Sequence, residues 1–506
     1  AIQALSPKGD AYNSKWFGMG DGAHPDDYLN IETLPRYDVP EVLWVEGVTE
    51  SSFRVRFNLN SDGKYSEHFE EENGKYVMDQ IKIEPSADNP DLEAQVINLT
   101  EADKNRGYID VDGLVTNSVY VVNGLNNKVK RYWDRLYNTN MVRMKGEVGE
   151  PILLKHVCDP NDVNSRAVTL NACRIDTILA NYMQDNTLAE GTIFELEPKK
   201  VYYCQNTVNM SKGFTLRCSD PNVSEEDRPT LYLGIGYKKE VPDPNDPSGE
   251  KKVTYGVDDN VPGVDVNESC SCNFSFGRNA NLGEMGGINV QSITFQNINF
   301  DCDKAYNYLN RPSTKGSGLG NYFINQSSQA MPFSLASFEV RDCNFRHMIR
   351  GWIRFQGPNR KIVERFIVDN CLFADCGVYD ANGRGYAWIN GDSKVPQQNI
   401  WNNFSMTNCT FIDSPWHALL SDKNNLAWPT TTTWNVRIEN NTFVNFSTRS
   451  KDRLLIEMNS NPSNSKFTCK KNLFVIVRKD KNDQRKLFAS GMRAENAKGC
   501  VYDFAD

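Results

Sequence analysis

Apolar and polar positions alternate through a phrase that recurs six times in the second half of the chain: apolar, any, apolar, any, Asn-like, Cys-like, any, Phe. The copies run from Ile293 to Phe300, Phe338 to Phe345, Phe366 to Phe373, Phe404 to Phe411, Val436 to Phe443 and Phe467 to Phe474. Period-2 alternation makes each copy a short strand, and the spacing of 28 to 45 residues between closing phenylalanines fits one coil of a solenoid with loops of varying length. A residue that recurs at one point in every coil stacks on its copy about 4.8 Å away when successive strands are parallel.

Two columns follow from this register. Asn297, Asp342, Asn370, Asn408 and Asn440 stand at the bend after the strand, where a short polar side chain bonds neighbouring backbone and tolerates a left-handed turn. One place later, Ile298, Cys343, Cys371 and Cys409 point inward as small apolar groups. The expected object is all-β: a right-handed parallel β-helix with a phenylalanine stack inside and an asparagine ladder at one corner.

Upstream the pattern changes. Residues 1–37 are rich in Gly, Asp and Pro without periodicity and read as an irregular arm. Over 38–145, Phe53, Val55 and Phe57 alternate, as do Ile81 and Ile83, which predicts a small β-sandwich. In Gly113 to Val122, Leu114 stands six places before Tyr120, the spacing of a tyrosine corner. Beyond a short linker at 145–149, the β-helix is expected over 150–506. Ile175, Ile178, Leu179 and Tyr182 share one helical face, so a short amphipathic helix is expected to cap the first coil, which would otherwise leave an open edge. Rungs then begin at Thr192 to Leu196 and Phe214 to Leu216.

Composition narrows the function classes. A net charge of −9 over 506 residues argues against general nucleic-acid binding. No apolar run approaches the length of a membrane span, and the first residues, AIQALSPKGD, carry no basic-then-apolar leader. Of thirteen cysteines, several fall at inward positions as reduced, buried thiols. Cys270, Cys272, Cys371 and Cys376 lack the paired partners of a zinc site. The polar stretch 239–269 reads as an exposed insertion. Its carboxylates Asp243, Asp246, Asp258, Asp259 and Asp265 are of the type that binds calcium, but their spacing matches no EF-hand, and no metal or other cofactor is assigned.

Candidate chemistry clusters after two of the rungs. Gly351 to Gly357 aligns on Gly385 to Gly391. With Ile353 and Phe355 inward, Trp352, Arg354 and Gln356 would share the outer face with Tyr386, Trp388 and Asn390, and the next rung adds Trp416, His417 and Ser421. Aromatic faces stack on the C–H faces of sugars, and guanidinium or amide groups bond hydroxyls and carboxylates. The stretch 338–366 is locally basic, with Arg341, Arg346, Arg350, Arg354, Arg360, Lys361 and Arg365. No Gly-x-Ser-x-Gly elbow is present, the five histidines form no spaced cluster, and Asp369, Asp375, Asp380, Asp392, Asp413 and Asp422 are dispersed over the rungs and their loops.

The whole pattern, with phrases such as Leu188 to Leu196 and Ser211 to Leu216, resembles pectate-lyase-like β-helix lipoproteins of bacterial polysaccharide-utilisation systems that carry a fibronectin type III-like module. The resemblance covers about residues 40–500. It implies a lipoprotein anchored in the outer membrane at the cell surface, a polysaccharide ligand, and a glycan importer as partner. Pectate lyases show Trp-Ile-Asp-His and Arg-x-Pro-x-x-Arg phrases. Here the nearest strings are Trp352-Ile-Arg354 and Trp388-Ile-Asn390, which favours capture of an acidic, pectin-like glycan over its cleavage. A polysaccharide lyase or glycoside hydrolase, and a structural adhesin, are the alternatives.

Overall fold

The computed structural model describes residues 42–58, 79–86, 89–126, 131–132, 139–155, 174–204, 206–233, 239–242, 248, 252–255, 272–276, 288–302, 322–326, 333–348, 351–357, 361–377, 387–393, 400–414, 416, 418–422, 433–447, 454–458, 461–475, 492–494 and 501–503. The arm at 1–37 and most of the 239–269 insertion, with its five named carboxylates, lie outside these residues.

The repeats build a right-handed parallel β-helix with three walls. Each phrase forms a strand of the first wall, such as Phe333–Arg341 or Lys361–Asp369. A two-residue bend leads to a three-residue strand of the second wall, such as Asn344–Arg346 or Leu372–Ala374. The third wall follows, with strands such as Ile353–Gly357 and Ile389–Ser393. Like strands of successive coils pair in parallel, Phe345 with Phe373 and Val340 with Val368.

The predicted phenylalanine column is present. Rings of Phe300, Phe345, Phe373, Phe411, Phe443 and Phe474 stack in sequence at centroid distances of 4.7, 5.0, 4.8, 5.0 and 4.7 Å. All but Phe474 are buried. The bend residues Asn297, Asp342, Asn370, Asn408 and Asn440 take φ between 51° and 58°, the left-handed turn that brings the chain from the first wall to the second. A second left-handed corner, not read from the sequence, follows the second wall at His347, Asp375, Asp413 and Asn445.

The inward column beside the first corner has one task and two chemistries. The thiols of Cys343, Cys371 and Cys409 lie 3.6 to 3.7 Å from the carbonyls of Phe295, Val340 and Val368 on the preceding rung. On later rungs the amides of Asn441 and Asn472 donate to the equivalent carbonyls of Met406 and Ile438 at 3.2 and 2.9 Å. Their oxygens accept from the backbone N–H of Cys409 and Asn441. Burial pushes the thiols of Cys343 and Cys409 well above the ordinary range, as expected for inert structural cysteines.

The helix Ile175–Gln184 buries Ile175, Leu179, Tyr182 and Met183 on the first coil, the expected cap. Beside it lies a buried polar network. Lys212 Nζ donates to the carbonyls of Asp185 (2.7 Å) and Leu188 and sits 4.1 Å over the Tyr182 ring. Glu190 accepts from the N–H groups of Gly213 (3.1 Å) and Gln291 (2.6 Å). Desolvation pushes the Glu190 carboxyl up to about 6 and the Lys212 ammonium down to about 7.

The upstream sandwich has one sheet of Val42–Glu46, Phe53–Asn58 and Tyr108–Val111. The other contains Gln95–Asn98, Gln80–Pro85, Val119–Asn126 and Thr139–Arg143 in that order. Phe53, Val55, Phe57, Ile81 and Ile83 fill the space between, as their alternation predicts. The Tyr120 hydroxyl accepts from the Val115 N–H at 3.0 Å, the bond of a tyrosine corner. The sandwich is not a separate bead. Thr139–Arg143 pairs in parallel with Ile288–Gln296, so one sheet runs from the sandwich into the first wall. Asn289 fastens the joint, accepting from the Val45 N–H (3.3 Å) and donating to the Met141 carbonyl (2.8 Å).

Candidate functional site

The third wall carries a repeat of its own: a large apolar residue, Ile or Leu, then a polar residue. It reads Phe323-Ile-Asn325, Trp352-Ile-Arg354, Trp388-Ile-Asn390, Leu419-Leu-Ser421 and Leu455-Ile-Glu457. The backbone pairs Ile324, Ile353, Ile389, Leu420 and Ile456 in one buried column. The next column, Asn325, Arg354, Asn390, Ser421 and Glu457, points outward by strand parity. Five hydrogen-bonding side chains thus stand on consecutive rungs about 4.8 Å apart.

Arg354 and Asn390 at the centre of this row are half-exposed, while Asn325, Ser421 and Glu457 are buried. The Arg354 guanidinium lies 5.9 Å from the centre of the Tyr322 ring. That ring lies close over Gly351, where any Cβ would come within 2.9 Å of it and within 2.7 Å of the Ala387 carbonyl oxygen. Asn390 donates to the Ala387 carbonyl at 3.3 Å, and Ser421 Oγ lies 3.5 Å from a Glu457 carboxylate oxygen.

The aromatic half of the expected site is corrected. Trp352, Trp388 and Trp416 are fully buried. Trp352 and Trp388 stack face to face at 4.8 Å, with the edges of Phe345 and Phe373 against them. Both tryptophans sit at the bend before their strands, where strict alternation does not hold, so each turns inward beside the isoleucine that follows it. The alignment by flanking glycines was two residues out: Ile353 pairs with Ile389 and Arg354 with Asn390. Trp416 packs over Gly377, whose φ is +74°; a Cβ there would lie 2.5 Å from the indole. Arg354 and Asn390 hold their outward places. Tyr386 and His417 lie outside the described residues, as does the side chain of Gln356. Asn325 and Glu457 were missed because the third-wall phrase is only three residues long and its loops vary most.

Among the described residues the basic stretch makes no single patch, because a solenoid distributes one coil around three walls; Arg350 and Arg360 lie outside the described residues. Arg341 and Arg365 flank Glu339 on the first wall. Arg346 stands on the second wall and Arg354 on the third, while Lys361 is buried. Burial would raise the Glu339 carboxyl, but hydrogen bonds from Ser337 and Arg341 and the charge of Arg365 outweigh it and hold the group below its ordinary value. Asp369 accepts from Thr407 (2.5 Å) and Asn408 (2.9 Å), and buried Asp422 accepts from the Trp401 indole at 3.2 Å. These carboxylates are tied into the wall.

Fold and row together define a right-handed parallel β-helix protein with a polar ladder along one wall. The sequence matches no protein-family model and no curated protein. Solved structures similar to it include a family PL6 alginate lyase, at 10% identity and a TM-score of 0.30, covering 64% of this chain and 38% of that one. A family 28 exopolygalacturonase of Yersinia enterocolitica matches at 11% identity and a TM-score of 0.21, covering 92% and 99%. The DFA-IIIase of Arthrobacter chlorophenolicus matches at 12% and 0.19, covering 70% and 98%. This chain therefore spans about two fifths of the alginate lyase's length, and the likeness is one of fold class.

Proposed function

We propose that this protein is a cell-surface polysaccharide-binding protein that holds an acidic, pectin-like plant glycan along the outer row of the third wall. The observation that carries the reading is the in-register row Asn325, Arg354, Asn390, Ser421 and Glu457. Its rung spacing is close to the length of one pyranose unit, so an extended chain lying along the solenoid meets the half-exposed Arg354 and Asn390 on consecutive rungs, with Asn325, Ser421 and Glu457 buried on either side of them. Arg354 supplies the cation that a uronate carboxylate needs. The strand order of the sandwich and its tyrosine corner support a fibronectin type III-like module. The lipid anchor in the outer membrane and the glycan importer as partner rest on the resemblance of the repeats to polysaccharide-utilisation lipoproteins. Calcium, if used, would belong to the carboxylates of the 239–269 insertion.

Glu457, beside Ser421 in the same row, favours a second reading, a polysaccharide lyase or glycoside hydrolase using the same wall. Incubation with polygalacturonate separates the readings. Retardation of the protein in a polygalacturonate gel without products is the expected outcome. Unsaturated products or new reducing ends would replace binding by catalysis, and neither effect would leave a structural adhesin.

A further inference from the structure

The outer face of the second wall changes character along the solenoid. On later rungs its outward row becomes Ala374, which is small and buried, and then the aliphatic Ile412, Val444 and Val475. On the four preceding rungs the same row reads Tyr203, Tyr232, Asp301 and Arg346. Strand parity puts these side chains outside, since Tyr202 and Cys204 on either side of Tyr203 are fully buried in the core.

This short row is assembled like a recognition surface. The rings of Tyr203 and Tyr232, both half-buried, stack at 6.0 Å and 28°. One rung on, Asp301 lies 2.7 Å from Nδ1 of His347, which the left-handed second corner (φ 60°) holds beside it. About a quarter of each of these two side chains is exposed, and Arg346 is exposed beyond them. The preceding loop, 219–229, borders the face. Glu225 accepts from Asn344 (3.0 Å) through its carboxylate and from Asn299 (3.3 Å) through its carbonyl.

From this juxtaposition we infer a second saccharide site, on a different wall from the proposed row, that takes a short uronate-bearing oligosaccharide. The two phenol rings form a platform for the C–H faces of sugar rings. The Asp301 and His347 pair offers an acceptor and a ring nitrogen to hydroxyls, and Arg346 pairs with the carboxylate. The aliphatic rungs that follow set the end of the site, so its reach is about four rungs, or roughly 14 Å.

The test uses the full chain with 13C-labelled histidine and trigalacturonate as probe, following the imidazole signal that disappears in His347→Asn. Wild type and Arg354→Ala should both show a saturable shift of this signal. A Tyr203→Leu/Tyr232→Leu double variant, melting near wild type, should bind about tenfold more weakly. If that variant unfolds, Arg346→Ala decides. Being exposed, it should fold normally and lose the preference for trigalacturonate over neutral galactotriose. A His347 signal that does not move in wild type overturns the inference. So does a shift retained with full affinity in the tyrosine variant, or undiminished preference in Arg346→Ala. A shift abolished by Arg354→Ala would also overturn it, by assigning the effect to the third wall. Failure of the third-wall reading alone would show as normal polygalacturonate binding by Arg354→Ala with the His347 shift intact.

Discussion

The interior columns and the exterior rows of this β-helix are made by alternate residues of the same strands, yet they obey different rules. In Asn344–Arg346 the middle residue is phenylalanine, as in five other rungs, while its neighbours become Leu372 and Ala374, then Thr410 and Ile412. Inside, each residue must match the copy above and below it, because packing is close and an unfilled place costs stability. Outside, only solubility or a ligand constrains the choice. Interior regularity therefore reports the fold, and exterior irregularity reports function.

The sharpest test removes an interior ring. Phe373→Ala or Trp388→Ala should each cost about 3 to 5 kcal/mol in urea unfolding while leaving polygalacturonate binding by the folded fraction intact. Weakened binding by Trp388→Ala at unchanged stability would restore the outward reading of that side chain. Within the interior, Asn441→Ala strands the Cys409 N–H and the Met406 carbonyl and should cost about 1 to 3 kcal/mol. Cys371→Ala, which removes only a weak donor, should cost less.

Two glutamates sharpen the contrast through their protons. Glu190, buried, titrates near 6 in the fold, above the ordinary 4.5, so its contribution to stability is fully present below about 4.5 and is lost as pH rises through about 6. Glu190→Gln should remove roughly 2 kcal/mol of this pH dependence between those limits, measured as melting temperature against pH. Glu339, half-exposed beside Ser337, Arg341 and Arg365, is shifted the other way, so its contribution fades only as pH falls below the ordinary range. The smallest effect is expected outside. Arg354→Ala should weaken polygalacturonate binding by about 1 kcal/mol, flatten its salt dependence and leave the melting temperature unchanged.

Legibility followed the same divide. The phenylalanine column, the left-handed asparagine bend and the capping helix were readable because each is an interior or corner demand repeated at fixed spacing. The second corner went unread although Asp375, Asp413 and Asn445 are of the same short polar type as the first, two places after Phe373, Phe411 and Phe443; only His347 departs from it. Trp352 and Trp388 were misplaced because both stand in the bend before a strand, where alternation counted back from Ile353 and Ile389 fails; the flanking glycines separately set the register two residues out. The dipeptide Trp-Ile, common to both rungs, carried the true alignment. The tryptophans of the expected site vanished with that inward turn, while the half-exposed tyrosine pair on the second wall went unnoticed, its rungs lying 29 residues apart before the recurring phrase begins.

The sheet that passes from Thr139–Arg143 into Ile288–Gln296 also decides how tension would travel. A sandwich hung on a loose tether would swivel, and any load would stretch the tether first. Here a pull between sandwich and β-helix crosses a hydrogen-bonded seam fastened by Asn289, so the load passes through sheet hydrogen bonds rather than through a single strand of linker.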